Sequence, residues 1–408
     1  MTTAPLPPSF QRLAGANLAA QAAEQTSLAA VPLVAVLALG AGPGEIGLLG
    51  AAQTLPFLLL SMPLGLLADR MSKRRLMVVA EAVRLLALVG MTAGAVWGAL
   101  SLPLLAVLGF VGAAGTVAFS VAAPALVPTL VPRSLLASAN GRLELARSVA
   151  FAAGPALAGA LVSWAGAAPA FVLAAVLSAA ALLLLRRLPE ALAVAAVAAR
   201  RHPLIELKEG AAMVWQHRLL RPILLTAVAW NIAWFVLQAA YVPYAIQVLK
   251  LDARAVGFTL ALYGVGMVAG ALAAPRVLRA WPFGRAILLG PAVSVLAASL
   301  LVATLVWPHV ELVAAAYVLF GAGPIIWTIS STTLRQTVTP AALLGRVTAL
   351  FLAVNMGARP LGAALGAVVG AQFGAAACLV LALGLFVVQA AVIVNSAVRT
   401  LQELPAAA

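Results

Sequence analysis

The sequence predicts an all-α polytopic membrane protein of twelve transmembrane helices arranged as two six-helix bundles, and three observations carry that expectation. The first is composition. Of 408 residues, 64% are hydrophobic and 9% charged, where soluble domains hold about 45 to 50% and 25%. With a mean hydropathy of +1.10, the chain has too few polar residues to cover a water-facing surface. The second observation is a series of twelve apolar runs, each near the ~20 residues that cross a bilayer as a helix. The third is an internal repeat of half the chain length.

Cut at charged or Gly/Pro turns, the apolar runs fall at about 12 to 39, 46 to 68, 75 to 97, 102 to 129, 141 to 164, 168 to 187, 221 to 248, 255 to 275, 285 to 306, 310 to 334, 345 to 368 and 373 to 397. Span one reads as a retained helix rather than a cleaved signal, because Asn17, Gln21, Glu24 and Gln25 interrupt it and no cation precedes Arg12. Residues 1–187 are expected to form the N-terminal bundle, 188–220 a cytoplasmic linker and 221–408 the C-terminal bundle. The repeat pairs Gly65 with Gly270, Arg142 with Arg346 and Pro155 with Pro360 at spacings of 204 or 205 residues. Such a period indicates two related halves.

The net charge of +14 does not point to nucleic acid, because the cations are placed by topology. With the N-terminus in the cytoplasm, the inside receives Arg70, Lys73, Arg74, Arg75, Arg133, Arg142, Arg276, Arg279, Arg285, Arg335, Arg346 and Arg399, with Arg200, Arg201, Lys208 and Arg218 of the linker. Outside loops keep Lys250 and Arg254 beside Asp252. The positive-inside rule therefore predicts cytoplasmic termini, and a bacterial-type inner membrane is the expected location. In the linker, Leu204, Leu207, Ala211, Val214 and Trp215 recur at helical spacing opposite Glu206, Lys208 and Glu209, the pattern of an interfacial amphipathic helix. One cysteine, Cys378, excludes an internal disulfide and a cysteine-based metal cluster. No GxxxxGK[ST] loop is present, so neither metal nor cofactor is expected, and energy must come from an ion gradient or the substrate's own.

The turn "GLLADRMSKRR" after span two packs four cations and one acid between apolar runs. It resembles the loop signature of the major facilitator superfamily, fitted by Gly65, Asp69, Arg70, Lys73 and Arg74, with Ser72 where the family usually has glycine. The segment "APALVPTLVPRSLLASANGRLELARSVAFAAGPALAGALV" resembles the corresponding stretch of the drug:proton antiporter branch that includes enterobactin exporters, through Pro124, Pro128, Pro132, Asn140, Arg147, Gly154, Pro155 and Gly159. Ala158 replaces a glycine of that branch's usual ending. The resemblance implies a monomeric secondary transporter that exchanges protons for an amphipathic small molecule such as a drug, siderophore or lipid-like metabolite. An uptake symporter or facilitator, or a non-transporting membrane sensor or subunit, stands as the alternative. It also implies a cytoplasmic gate of Gly65, Asp69, Arg70, Lys73 and Arg74 with Glu81, Arg84, Glu144, Arg147, Gly154 and Pro155. Read from spacing alone, Glu81 with Arg84 and Glu144 with Arg147 are equally ordinary i,i+3 surface pairs.

Ionisable groups inside a bilayer are costly and mark function by default. Rising about 1.5 Å per residue from Arg12, Glu24 lies about 18 Å into span one, on a face shared with Asn17, Gln21 and Gln25. It is either the proton carrier, as the resembled branch suggests, or a hydrogen-bonded acid joining helices. Arg359, about 20 Å beyond Arg346, is either a counter-ion for substrate or Glu24, or a structural cation beside Pro360. Span seven carries Trp230, Asn231, Trp234, Gln238 and Tyr241, a polar-aromatic stripe at helical spacing. The superfamily lines its cavity with spans one, four, seven and ten, which implies substrate contacts for this stripe, for Phe119 and Ser120, and for Trp327, Ser330 and Ser331. Asn355 of span eleven completes the candidate set. Packing is the competing role for each.

Overall fold

A computed structural model describes residues 7–132, 135–189, 203–340 and 343–405. Arg133, Arg200, Arg201 and His202 lie outside the described residues, as do the side chains of Gly65, Asp69, Arg70, Leu204, Glu206 and Leu207. The described residues form helices: α1 Pro8–Leu39, α2 Pro43–Arg70, α3 Lys73–Val96, α4 Leu102–Leu130, α5 Leu136–Ala165, α6 Ala167–Arg186, α7 Pro203–Gln216, α8 Leu220–Gln247, α9 Ala253–Ala280, α10 Phe283–Ala303, α11 Val310–Val338 and α12 Leu344–Val394. A lipid solvent leaves backbone groups no other partner, so helices, which satisfy their own, are the available spanning form.

Two helices depart from the expected span list. The linker helix is α7. Spans eleven and twelve run together in α12, whose 51 residues would extend about 76 Å if straight, more than twice a bilayer core. Gly374 breaks it at φ 78°, ψ −178°, backbone that only glycine adopts readily, and so restores two crossings. Among the described residues, eleven helices are long and apolar enough to cross a membrane, α12 counted once.

The helix starts follow local chemistry. Ser72 is the N-cap of α3, its Oγ accepting the N–H of Arg75. The residue that departs from the family's glycine thus starts the next span. Ser101 caps α4 in the same way, and Asp252 Oδ1 accepts the N–H of Ala255 at 2.7 Å to begin α9.

The chain divides into two compact units. Unit 1 comprises residues up to Ala41, Ala52–Ala196 and Lys250–Ala261. Its core holds Phe10, Leu13, Met77, Phe119, Leu126 and Leu185. The start of α9 joins it through glycines: a methyl group built on Gly257 would lie 2.5 Å from the Pro155 carbonyl oxygen and 2.7 Å from Gly159 Cα. Unit 2 comprises Gly42–Ala51, Val197–Leu249 and Leu262–Ala408. There the start of α2 crosses α12 at Gly47, where an added methyl would meet Ala367 backbone at 2.5 Å.

One apolar cluster of unit 2 gathers Val214 of α7, Leu220 of α8, Phe283 of α10, Val338 of α11, and Val347 and Ile393 of α12. The cations adjoining these helix ends, Arg218, Arg221, Arg285, Arg335, Arg346 and Arg399, therefore collect at one end of the unit. The linker helix docks there as part of unit 2: Glu209 pairs with Arg346, and Gly210 lies against the Arg346 backbone. Trp215, on the expected amphipathic face, is 56% exposed with the Arg221 guanidinium 4.5 Å above its ring.

His217 fastens α7 to α8. Its Nδ1 accepts the N–H groups of Leu219 at 3.2 Å and Leu220 at 3.3 Å, which requires a neutral ring. Burial, and then the adjacent Arg218, push its pKa below the ordinary 6.5. A depressed folded value means the cap's contribution is whole above the unfolded pKa and is lost as pH falls through the folded one. Amide exchange at Leu219 and Leu220, corrected for intrinsic rates, should accelerate on acidification below pH 6. In His217→Gln, whose side chain does not titrate, the corrected rates should stay level; parallel behaviour of the two proteins would remove the cap from consideration.

Candidate functional site

Unit 1 builds its polar interior around α1. Asn17 and Gln25 are buried, and Gln21 and Glu24 half-buried, so the predicted face points into protein. Asn17 Nδ2 donates to the Leu143 carbonyl of α5 at 3.4 Å. Farther along the same pair of helices, a methyl on Gly154 would lie 2.6 Å from Gln25 Cβ and 3.0 Å from the Thr26 nitrogen. The Gly154–Pro155 stretch therefore lies on the turn that carries Glu24 and Gln25. The sequence placed these residues in two separate sets, gate and site; the crossing puts them at one place.

Two Glu–Arg pairs with identical spacing meet opposite fates. Glu144 and Arg147 on α5 remain partly solvated, with side chains 54% and 36% exposed, and Arg147 Nε lies 3.1 Å from each carboxylate oxygen. Glu81 is 0% and Arg84 4% exposed, which corrects the surface-pair reading of α3. Arg84 Nη1 donates to Glu81 at 2.9 Å and to the Ala20 carbonyl of α1 at 3.2 Å, while Nη2 donates to Thr116 Oγ1 of α4 at 3.0 Å. Glu81 accepts from Ser178 of α6 at 2.6 Å, and the guanidinium lies 5.8 Å from the Phe119 ring centroid. One buried pair thus joins four helices. Ser178 and Thr116 escaped the sequence reading because a lone hydroxyl in an apolar run announces no partner.

The basic turn also has a visible task. Arg74 donates from Nε to the Leu185 carbonyl at 3.3 Å and from Nη2 to that of Arg186, and Arg12 donates to Arg187 at 3.1 Å. These guanidiniums bind carbonyls at the C-terminal end of α6, where cations are favoured by the helix dipole. Lys73 opens α3 and stays half-buried.

Unit 2 revises the aromatic stripe. Trp230 stacks on Trp234 at 5.4 Å, and Trp234 meets Tyr263 at 5.0 Å and Phe320 at 5.2 Å. Tyr241 is 0% exposed and packs on Tyr317 at 4.6 Å. Trp234 and Tyr241 are therefore packed in the interior, and Phe119, Trp327 and Ser330 are buried too. Ser330 returns its hydroxyl to the Ile326 carbonyl at 2.8 Å. Asn231 likewise bonds the Ala227 carbonyl at 2.9 Å and is buried. Ser331 is buried as well.

Trp230, Gln238, Asn355 and Arg359 are half-buried, and Ser120 is exposed. The indole N–H of Trp230 and the Asn355 Oδ1 are buried without a hydrogen-bond partner among the described residues. Arg359 holds its guanidinium 5.9 Å over the Phe235 ring. Three residues on, α12 crosses α8 in backbone contact: a methyl on Gly362 would meet the Ile232 carbonyl at 2.5 Å. Cys378 is buried, its Sγ 3.5 Å from the Gly366 carbonyl oxygen.

Residues 13–363 match the family model of the Major Facilitator Superfamily. The chain belongs to the major facilitator superfamily. Family and apolar helices together make it a multi-pass membrane transporter of small molecules. No curated protein matches this facilitator's sequence. Its fold is similar to that of the nucleoside transporter NupG, with 13% identity over 95% of this chain and 98% of that one and a TM-score of 0.76. A bacterial homologue of the iron transporter ferroportin in its inward-facing state gives 16% identity, 94% and 98% coverage and a TM-score of 0.71. A POT family transporter in complex with 5-aminolevulinic acid gives 12% identity, 97% coverage of both chains and a TM-score of 0.73. At these identities the likeness shows the facilitator's fold and leaves its substrate to the site.

Proposed function

We propose that this facilitator is a proton-coupled exporter of an amphipathic small molecule, a drug, siderophore or lipid-like metabolite, working as a monomer by alternating access with both termini in the cytoplasm of an inner membrane. The observation that carries the reading is the crossing of α5 on α1, where Gly154 of the antiporter-like stretch rests on Gln25 beside the half-buried Glu24. In this reading Glu24 exchanges the proton. Within unit 1 Gln21, and within unit 2 the half-buried Trp230, Gln238, Asn355 and Arg359, are the polar and aromatic residues offered to substrate. Residues 1–187 and 221–408 act as the two moving bundles, and the Gly65–Asp69–Arg70 turn closes the cytoplasmic side.

The test is flux across vesicles of defined orientation. Inverted vesicles containing the protein should accumulate an amphipathic compound from a chemically diverse panel when their interior is acidified, and a protonophore should abolish the gradient. Accumulation confined to right-side-out vesicles would replace export with uptake, and absence of flux for the whole panel would reject the exporter reading.

A further inference from the structure

The end of unit 2 that gathers the helix termini carries a feature that transport does not use. Arg218 and Arg221 are exposed, and neither has an acid partner among the described residues. Glu209, the described acid on α7, is paired with Arg346, and His217 is held neutral by its two N–H donors. Among the described residues at the α7–α8 junction, the exposed charges beside Trp215 are therefore cations. Trp215 lies within this patch, 56% exposed beneath the Arg221 guanidinium.

The tryptophans fix the level of this patch. Trp97, Trp164, Trp215, Trp281 and Trp307 are all exposed and all lie at helix ends or connections, whereas Trp230, Trp234 and Trp327 are inside spans. Exposed indoles at span ends mark the headgroup zone of a bilayer. A guanidinium lying over an indole still has N–H groups to offer a planar or tetrahedral anion. A soluble anion would leave the Trp215 ring in water, while a phospholipid covers the ring with its glycerol and upper acyl carbons and presents its phosphate to Arg221 and Arg218.

We propose that Trp215, Arg218 and Arg221 form a docking site for the headgroup of an acidic phospholipid in the leaflet at this end of unit 2. The lipid steadies the junction where α7, pinned to α12, turns into α8.

Native mass spectrometry on the purified full-length protein, titrated with phosphatidylglycerol against phosphatidylcholine, tests it. The wild type should retain phosphatidylglycerol at least about tenfold more tightly, given the attraction that each cation near an anionic surface contributes. Arg218→Gln/Arg221→Gln should abolish most of that preference, Trp215→Ala should weaken it, and Arg221→Lys, which keeps charge without the planar fork, should fall between. Equal retention of the two lipids by the wild type would overturn the proposal. So would an unchanged preference in the double variant, full preference in Arg221→Lys, or displacement of the lipid by millimolar inorganic phosphate. Should the double variant fail to fold, Arg221→Gln alone is judged by the same criteria.

Discussion

Arg84→Leu should be the most destabilising single substitution within the spans of unit 1. It removes the cation from a carboxylate that is 0% exposed and leaves Glu81 with the Ser178 hydroxyl alone. Breaking a buried ion pair from one side costs about 3 to 5 kcal/mol, because the remaining charge has lost its water without keeping its partner. The ties to the Ala20 carbonyl and Thr116 vanish with it. Glu81→Leu/Arg84→Leu removes both charges and fills the space with apolar groups, so it should restore much of the loss. The partly solvated pair on α5 supplies the control: Glu144→Gln or Arg147→Gln should cost no more than ~1 kcal/mol. Apparent melting temperature of the detergent-purified protein, followed by size-exclusion chromatography after heating, reads all of these. Equal tolerance of Arg84→Leu and Arg147→Gln would show that the α3 pair does not hold the helices together.

That contrast also shows where a sequence stops being informative. Glu81–Arg84 and Glu144–Arg147 have the same spacing, and nothing local says which pair is buried. The difference is made by Ser178 and Thr116, which lie 97 and 32 residues from their partners. The fold was legible because a bilayer imposes simple rules: apolar length sets the spans, cations mark their ends, and a half-length period pairs the bundles. Cation placement was readable, but its use was not, since Arg74 is occupied with the carbonyls of α6. Helical spacing correctly put Trp230, Trp234 and Tyr241 on one face. Period alone could not say that α11 would fill that face with Tyr317 and Phe320. Trp215 was legible as part of an interfacial apolar face, whereas the Arg221 guanidinium over its ring was not.

Glu24→Gln should abolish proton drive while leaving the fold in place. The amide has the size and hydrogen-bonding capacity of a protonated carboxylic acid, so a half-buried site should accept it at little cost in melting temperature. It cannot release a proton, however, and an exchanger whose carrier never titrates has no means of converting a pH difference into work. One pH unit is worth about 1.4 kcal/mol per proton. Wild-type protein in proteoliposomes can therefore sustain up to about a tenfold substrate gradient per exchanged proton and unit of pH, where Glu24→Gln should bring the two sides only to equality. Glu24→Asp keeps the titrating group one methylene shorter and should retain part of the gradient, which separates loss of the proton from loss of shape. Full pH-driven accumulation by Glu24→Gln would leave Glu24 as an acid that joins helices and move coupling to another residue. Loss of the gradient with an intact fold, beside partial rescue by Glu24→Asp, assigns the proton to the turn of α1 on which Gly154 rests.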